Sequence, residues 1–264
     1  MPLANGPVGR AGEEHCVIGS VATALRNGQS VRTLPITAFH RPETGWEIYA
    51  PHVAHEIGTA CDAASPAFAH DLAVWQLSHG LAPSGIMDGV TFLAMKLVWD
   101  ARRPFEAASL KGCPGPPDPD HLARVPPAQS YGGKVMYLRP RALAAYERML
   151  AAARSESPAV QSDARLMTVF SAFRSPADDD ARCLAEGNCQ GMVRASCSAH
   201  RTGLAIDLDL GTAPGETIGS ADDVNRLFIS RGQAYRWMVA NAGRFGFVNY
   251  AFEPWHWEWT GEAP

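Results

Sequence analysis

The stretch Ser198-Ala199-His200-Arg201-Thr202-Gly203-Leu204-Ala205-Ile206-Asp207-Leu208-Asp209-Leu210 decides how the second half of the chain is read. From Gly203 onward it alternates with period two, the pattern of a β-strand. Leu204, Ile206, Leu208 and Leu210 fall on one face, and Ala205, Asp207 and Asp209 fall on the other. An acid in the centre of a strand needs a partner, because burying an unpaired charge is costly. A metal ion is one such partner. His200 lies just upstream across Gly203, a residue type that permits a tight turn.

The second decisive stretch is Glu253-Pro254-Trp255-His256-Trp257-Glu258-Trp259. Its three tryptophans share one face, which reads as core, while His256 and Glu258 share the other. Pro254 breaks the alternation, so Glu253 is expected to swing towards His256. Two histidines and one carboxylate leave the fourth position of zinc open for water, as a catalytic site requires. Glu253 is then available as general base. The competing reading of His200, Asp207 and His256 is a satisfied polar core. Glu258 and Asp209 either orient ligands from behind or are solvated strand residues.

Between these elements the signals alternate between helix and strand. Arg139-Pro140 opens a helix with Leu143, Tyr146 and Leu150 inward, and Leu166 to Phe173 reads as a short buried strand. Ala234 to Ala242 reads as a helix stopped by Gly243. The region is therefore expected to be an α+β domain in which a small antiparallel sheet carries the metal site. Earlier in the chain the signal is helical. Ser65-Pro66 suits an N-cap and first helical position, with Phe68, Leu72 and Trp75 on one face and Gly80 at the end. A second helix starts near Asp88, with Phe92, Met95 and Trp99 on one face, and Ala50 to Gly58 forms another. Lys111 to Pro127 is proline-rich and fits neither a helix interior nor a central strand. The expected organisation is a small all-helical domain over residues 1–110, a linker over 111–127 and a catalytic domain over 128–264.

Composition sets the outer limits. The 264 residues are 46% hydrophobic and 19% charged, with a formal net charge of -4. That is ordinary globular composition, without the basic excess of a nucleic-acid binder. There is no run of about 20 apolar residues to span a membrane. Met1 to Cys16 lacks the apolar core of a signal peptide. The six cysteines nevertheless favour an oxidising, periplasmic or secreted location, with a cytoplasmic one as the alternative. Cys183 and Cys189 flank a short polar loop and make the best local disulfide. Cys16–Cys61 comes second, and Cys113–Cys197 follows by elimination. Six buried free thiols are the other possibility. His52-Val53-Ala54-His55-Glu56 lacks the order His-Glu-x-x-His and a third ligand, so it reads as helical surface.

These segments resemble the LAS metallopeptidases, the group of lysostaphin, D-Ala-D-Ala peptidases and hedgehog. Within it they resemble the D-alanyl-D-alanine carboxypeptidases of the vancomycin-resistance type. That family's pattern is Ser-x-His-x-x-Gly-x-Ala-x-Asp followed by a late Glu-x-x-His flanked by aromatics. It is matched at Ser198, His200, Gly203, Ala205, Asp207, Glu253, Trp255 and His256. The resemblance implies that His200, Asp207 and His256 bind one zinc ion and that Glu253 activates water. An upstream Ser-x-aromatic-Arg-Ser motif stands here as Ser171-Ala172-Phe173-Arg174-Ser175. Its arginine contacts the substrate carboxylate or the developing oxyanion, which assigns catalysis and substrate binding to Arg174, with Ser175, Ser198 and Trp255 also lining the substrate. Ser198 has the alternative of capping a turn, and Arg174 that of a structural ion pair. Where relatives carry a glutamine after the Arg-Ser pair, this chain has Pro176-Ala177-Asp178-Asp179-Asp180 and an insert with Cys183 and Cys189. Gln190 is a candidate replacement.

The implied activity is zinc-dependent hydrolysis of peptidoglycan stem peptides, by D-alanyl-D-alanine carboxypeptidase chemistry. The alternatives are an endopeptidase cutting the stem or cross-bridge, and a non-catalytic cell-wall binding protein. Leu72-Ala73-Val74-Trp75-Gln76, Gly80-Leu81 and Asp88-Gly89-Val90-Thr91 resemble a small helical peptidoglycan-binding domain, with plain helical packing as the alternative.

Overall fold

A computed structural model describes residues 14–185, 187, 189 and 196–264. Gln190 lies outside the described residues. The chain divides into two compact units, Met1–Ile36 with Pro42–Phe92 and Thr37–Arg41 with Leu93–Pro264.

The first unit is built on α1 (Val21–Thr33), α2 (Ala50–Glu56), α3 (Pro66–Ser78) and the start of α4 (Gly89–Ala101). The Ser65 hydroxyl accepts the Phe68 N–H at 3.2 Å, with Pro66 as the first helical residue. That satisfies one of the orphan donors of a helix start. Phe68, Leu72 and Trp75 are buried, and the Trp46 ring stacks on Phe68 at 5.9 Å. Gln76 is buried as well. Its carbonyl accepts from the Gly85 N–H at 2.8 Å and its amide donates to the Thr91 hydroxyl at 2.9 Å. The motif residues Leu72, Trp75, Gln76 and Thr91 thus serve packing. The unit is not wholly helical, which corrects the expectation. β1 (Pro35–Ile36) pairs antiparallel with β2 (Glu43–Thr44). Pro35 has no amide donor and Gly45 adopts φ +82, so neither can continue a helix. The Cys16–Cys61 disulfide closes this unit.

The second unit contains the rest of α4, α5 (Pro104–Ser109), β3 (Ala123–Arg124), β4 (Tyr137–Leu138), α6 (Pro140–Glu156), α7 (Pro158–Ser162), β5 (Val169–Ser171), α8 (Pro176–Ala185), β6 (Ala205–Leu208), α9 (Asp223–Arg231), α10 (Gln233–Asn241), β7 (Phe247–Asn249) and β8 (His256–Trp259). Helices and small sheets are mixed. β3 pairs with β4, and a four-stranded antiparallel sheet runs in the order β5-β6-β8-β7. Its core joins Leu143, Tyr146 and Leu150 of α6 to Ile206 and Leu208 of β6, Tyr235 and Met238 of α10, and Trp257 and Trp259 of β8. Burying each such side chain contributes about 1.5–3 kcal/mol.

Two sequence expectations change, the length of one strand and the reading of the proline-rich stretch. The strand read over Leu166 to Phe173 shrinks to Val169–Ser171, because Met167 adopts φ +66 and the Leu166 and Thr168 amides close turns onto Asp163 and Arg165. All four residues of β6 are buried, so Asp207 is enclosed, as its need for a partner implied. The proline-rich residues 111–127 belong to the second unit. Cys113 is bonded to Cys197, Ala123–Arg124 pairs with Tyr137–Leu138, and the buried Val125 donates its N–H to Met136 at 2.9 Å. The division falls instead between Phe92 and Leu93, inside α4, where uninterrupted helical periodicity leaves no mark in the sequence. Prolines exclude helix and central strand but not side-chain or edge contacts. The third disulfide is Cys183–Cys189, so all three pairs form as expected. Among the described residues no helix is long and apolar enough to cross a membrane.

Candidate metal centre

Pairing of β6 with β8 sets Asp207 directly opposite His256. His200 comes from a 3₁₀ turn, Ala199–Thr202, that ends at Gly203 with φ +69. A Cβ at Gly203 would meet Leu122 and Arg139 side-chain atoms at 3.2 Å, so glycine here permits both the left-handed turn and close packing. Asp207 Oδ1 lies 3.2 Å from His200 Nε2 and 2.9 Å from His256 Nδ1. The ligand atoms of the three residues lie within 4.8 Å of one another, and all three side chains are buried. The group is the only such cluster among the described residues, and His52 and His55 do not join it.

The outer contacts fix the rings. His200 Nδ1 faces the Ala172 carbonyl at 2.8 Å, and a carbonyl only accepts. Nδ1 therefore carries the proton and Nε2 presents its lone pair. His256 turns Nδ1 to Asp207, and its Nε2 lies 3.5 Å from Glu258 Oε1. Glu258 is buried, which settles its sequence reading against a solvated strand residue. Asp209 is turned elsewhere and accepts the Gly211 N–H at 3.0 Å.

The electrostatics follow from burial and partners. Burial, reinforced by the Arg174 guanidinium, lowers His200 to about 4, so it is neutral near pH 7. Burial alone would raise Asp207, but the two imidazoles hold it far below the usual carboxylate range. Burial would lower His256, yet the Asp207 and Glu258 carboxylates outweigh it and raise the ring to about 9. Burial pushes Glu253 up to about 7.

His200, Asp207, His256, Glu253, Trp255, Arg174 and Ser198 line one cavity of about 490 Å³. Glu253 Oε2 lies 4.0 Å from His256 Nδ1, the placement expected from Pro254. Arg174 is held on three sides. Its Nε donates to Asp179 at 2.8 Å, Nη1 to the Ser171 hydroxyl at 2.7 Å and Nη2 to the Ser198 hydroxyl at 3.1 Å. Ser198 in turn donates to Asp179 at 2.9 Å. Ser175 does not join the cavity wall. It sits at the start of α8, where its hydroxyl donates to Asp178 at 2.7 Å and accepts the Asp178 N–H at 3.2 Å.

Sequence reasoning passed over Asp179, Arg103 and Tyr250. Asp179 stands in a run of three aspartates, and its burial on α8 is the signal that separates it from its neighbours. Arg103 has no local signal, because its partner Glu258 is 155 residues away. Tyr250 lines the cavity beside His256, with the rings perpendicular and 6.2 Å apart.

The chemistry of the donors fits a zinc-type cation. Two imidazole nitrogens and one carboxylate converge in a buried pocket, and both rings have an acceptor behind them.

Residues 135–262 match the family model of the VanY D-alanyl-D-alanine carboxypeptidases. No curated protein matches the chain. Among solved structures, the LdcB LD-carboxypeptidase is 21% identical with a TM-score of 0.41, and the match covers 56% of this chain and 72% of that one. DacB from Streptococcus pneumoniae is 21% identical with a TM-score of 0.32, covering 47% and 67%. A mutant of the vancomycin-resistance D,D-pentapeptidase VanY, in complex with Zn(II), is 21% identical with a TM-score of 0.30, covering 48% and 74%. The family match takes in Arg174, His200, Asp207, Glu253 and His256, and over residues 135–262 this chain is similar to the VanY family of D-alanyl-D-alanine carboxypeptidases.

Proposed function

We propose that this chain is a zinc-dependent peptidase that removes the terminal D-alanine from peptidoglycan stem peptides. The observation that carries this reading is the convergence of His200, Asp207 and His256 with Glu253 on one cavity wall. His200 through Nε2, Asp207 through Oδ1 and His256 through Nδ1 would hold the ion. Two nitrogen donors favour zinc over magnesium or calcium, which prefer all-oxygen sites. When bound, zinc supplies Lewis-acid polarisation and lowers the pKa of water to about 7.

The chain's own groups do the rest. Glu253 takes the proton of the attacking water on its carboxylate and passes it to the leaving amine. Its placement in a buried, polar pocket suits a group that must both accept and return a proton. Arg174 presents the remaining Nη protons to a carboxylate or oxyanion, with its direction fixed by Asp179, Ser171 and Ser198. Trp255 lines the cavity as an apolar wall. Ser198 acts through Arg174, and Ser175 shapes α8. A substrate of this class places the reaction outside the cytoplasm, in keeping with the three disulfides. The first unit is read as a wall-binding module.

Incubation with defined muropeptides followed by mass spectrometry tests the reading. Loss of a single terminal alanine supports the carboxypeptidase. Cleavage inside the stem or cross-bridge makes the chain an endopeptidase. Intact substrate leaves a wall-binding protein.

A further inference from the structure

We propose that Arg103, which precedes the family-matched residues, is a positioning residue of the metal centre and acts on His256 through Glu258. The inference rests on reading His200, Asp207 and His256 as metal ligands.

Glu258 stands two residues after His256 on β8, hence on the same face. Its side chain is 1% exposed. Oε1 accepts from Arg103 Nε at 2.8 Å and lies 2.7 Å from Nη2, while Oε2 accepts the Phe105 backbone N–H at 3.0 Å. The same Oε1 is 3.5 Å from His256 Nε2, and Nδ1 of that ring is 2.9 Å from Asp207. An imidazole that ligates through one nitrogen keeps its proton on the other, and that proton needs an acceptor. Glu258 is placed to be it. Alone, however, Glu258 would be a buried, unpaired charge. Arg103 supplies the countercharge and, with Phe105 N–H, fixes the direction of both carboxylate oxygens.

Arg103 is itself held. Nη1 reaches Glu106 at 2.8 Å, and the guanidinium lies over the Tyr250 ring at 4.0 Å from its centroid. Arg103, Phe105 and Glu106 also line the cavity. A segment outside the family match therefore completes the support of a residue inside it. A lysine at 103 would keep the charge but not the two-pronged geometry.

The test compares the native chain with Arg103→Met, Arg103→Lys and Glu258→Gln. Zinc affinity is measured by competition with a chelator, the visible spectrum is recorded on cobalt(II)-substituted protein, and circular dichroism verifies the fold. Arg103→Met and Glu258→Gln should weaken zinc about 10- to 100-fold and shift the cobalt bands, with Arg103→Lys between them and the native chain. If the methionine variant does not fold, the lysine variant carries the test. Native zinc affinity and an unchanged cobalt spectrum in the folded Arg103 variants overturn the proposal and leave the metal centre standing. Failure of the native chain to bind zinc overturns both.

Discussion

Two buried aspartates serve this cavity in different company. Asp207 meets two imidazoles, His200 at 3.2 Å and His256 at 2.9 Å. Asp179 lies between two guanidinium groups, Arg174 at 2.8 Å and Arg201 at 3.6 Å. An arginine is always charged, so the second aspartate has full countercharge and its work is to aim Arg174. An imidazole is charged only when protonated, and burial keeps His200 neutral. The first cluster therefore reaches charge balance either with a proton on His256 or with a cation. The difference separates a cluster whose charge balance leaves a place for a cation from one whose cations are already supplied by arginines.

The largest effects are expected at the proposed ligands. His200→Ala and His256→Ala should each lose zinc and lower turnover on the order of a thousandfold or more, since a metal supplies several kcal/mol of charge stabilisation. Metal analysis and a turnover assay on both variants check this, and full zinc retention would sink the ligand assignment. Glu253→Gln should keep zinc yet lose about 10²- to 10⁴-fold in kcat, because an amide cannot accept the proton. Near-native turnover in that variant would make Glu253 structural.

The arginine cluster should respond more gently. Arg174→Lys keeps the charge but loses the fork, and kcat/KM should fall about ten- to a thousandfold, or roughly 1.4 to 4 kcal/mol, with zinc content unchanged. Blocking the substrate's terminal carboxylate as an amide should then hurt the native enzyme far more than the variant. Equal losses would mean that Arg174 does not read the chain end.

The smallest effect is one of pH. Without a cation, His256 holds its proton up to about 9, above its ordinary range. Zinc must displace that proton, so affinity should rise with pH by about tenfold per unit between roughly 7 and 9 and level off above. Calorimetry in buffers of different ionisation enthalpy should find a proton released on binding at pH 7.5. No release would mean that the Asp207–His256 contact is not broken by the metal.

How much of this was legible in the sequence depended on range. The proposed ligands stand in two short segments whose period-two pattern fixes which side chains share a face, so the convergence of His200, Asp207, His256 and Glu253 could be read locally. The Ser65 cap and the Cys183–Cys189 pair were also legible from local spacing, and Cys113–Cys197 followed once the other two pairs were assigned. Arg103 was not, because its partner is on a distant strand and no local pattern encodes that meeting. Ser175 was misplaced by its motif. The hydroxyl is taken up by Asp178 at the start of α8, a helix that belongs to the acidic insert rather than to the pattern. The proline-rich stretch misled in the opposite direction, since prolines mark where helices stop and not where domains part.

Chelation is the sharpest test of a zinc-dependent carboxypeptidase. A defined pentapeptide stem is incubated with the native chain before chelation, after chelation and after zinc is restored, and the products are read by mass spectrometry. Loss of one terminal alanine is expected, abolished by the chelator and recovered with about one zinc ion per chain. Cleavage that survives complete removal of metal, or zinc-loaded protein that leaves every stem peptide intact, would contradict it.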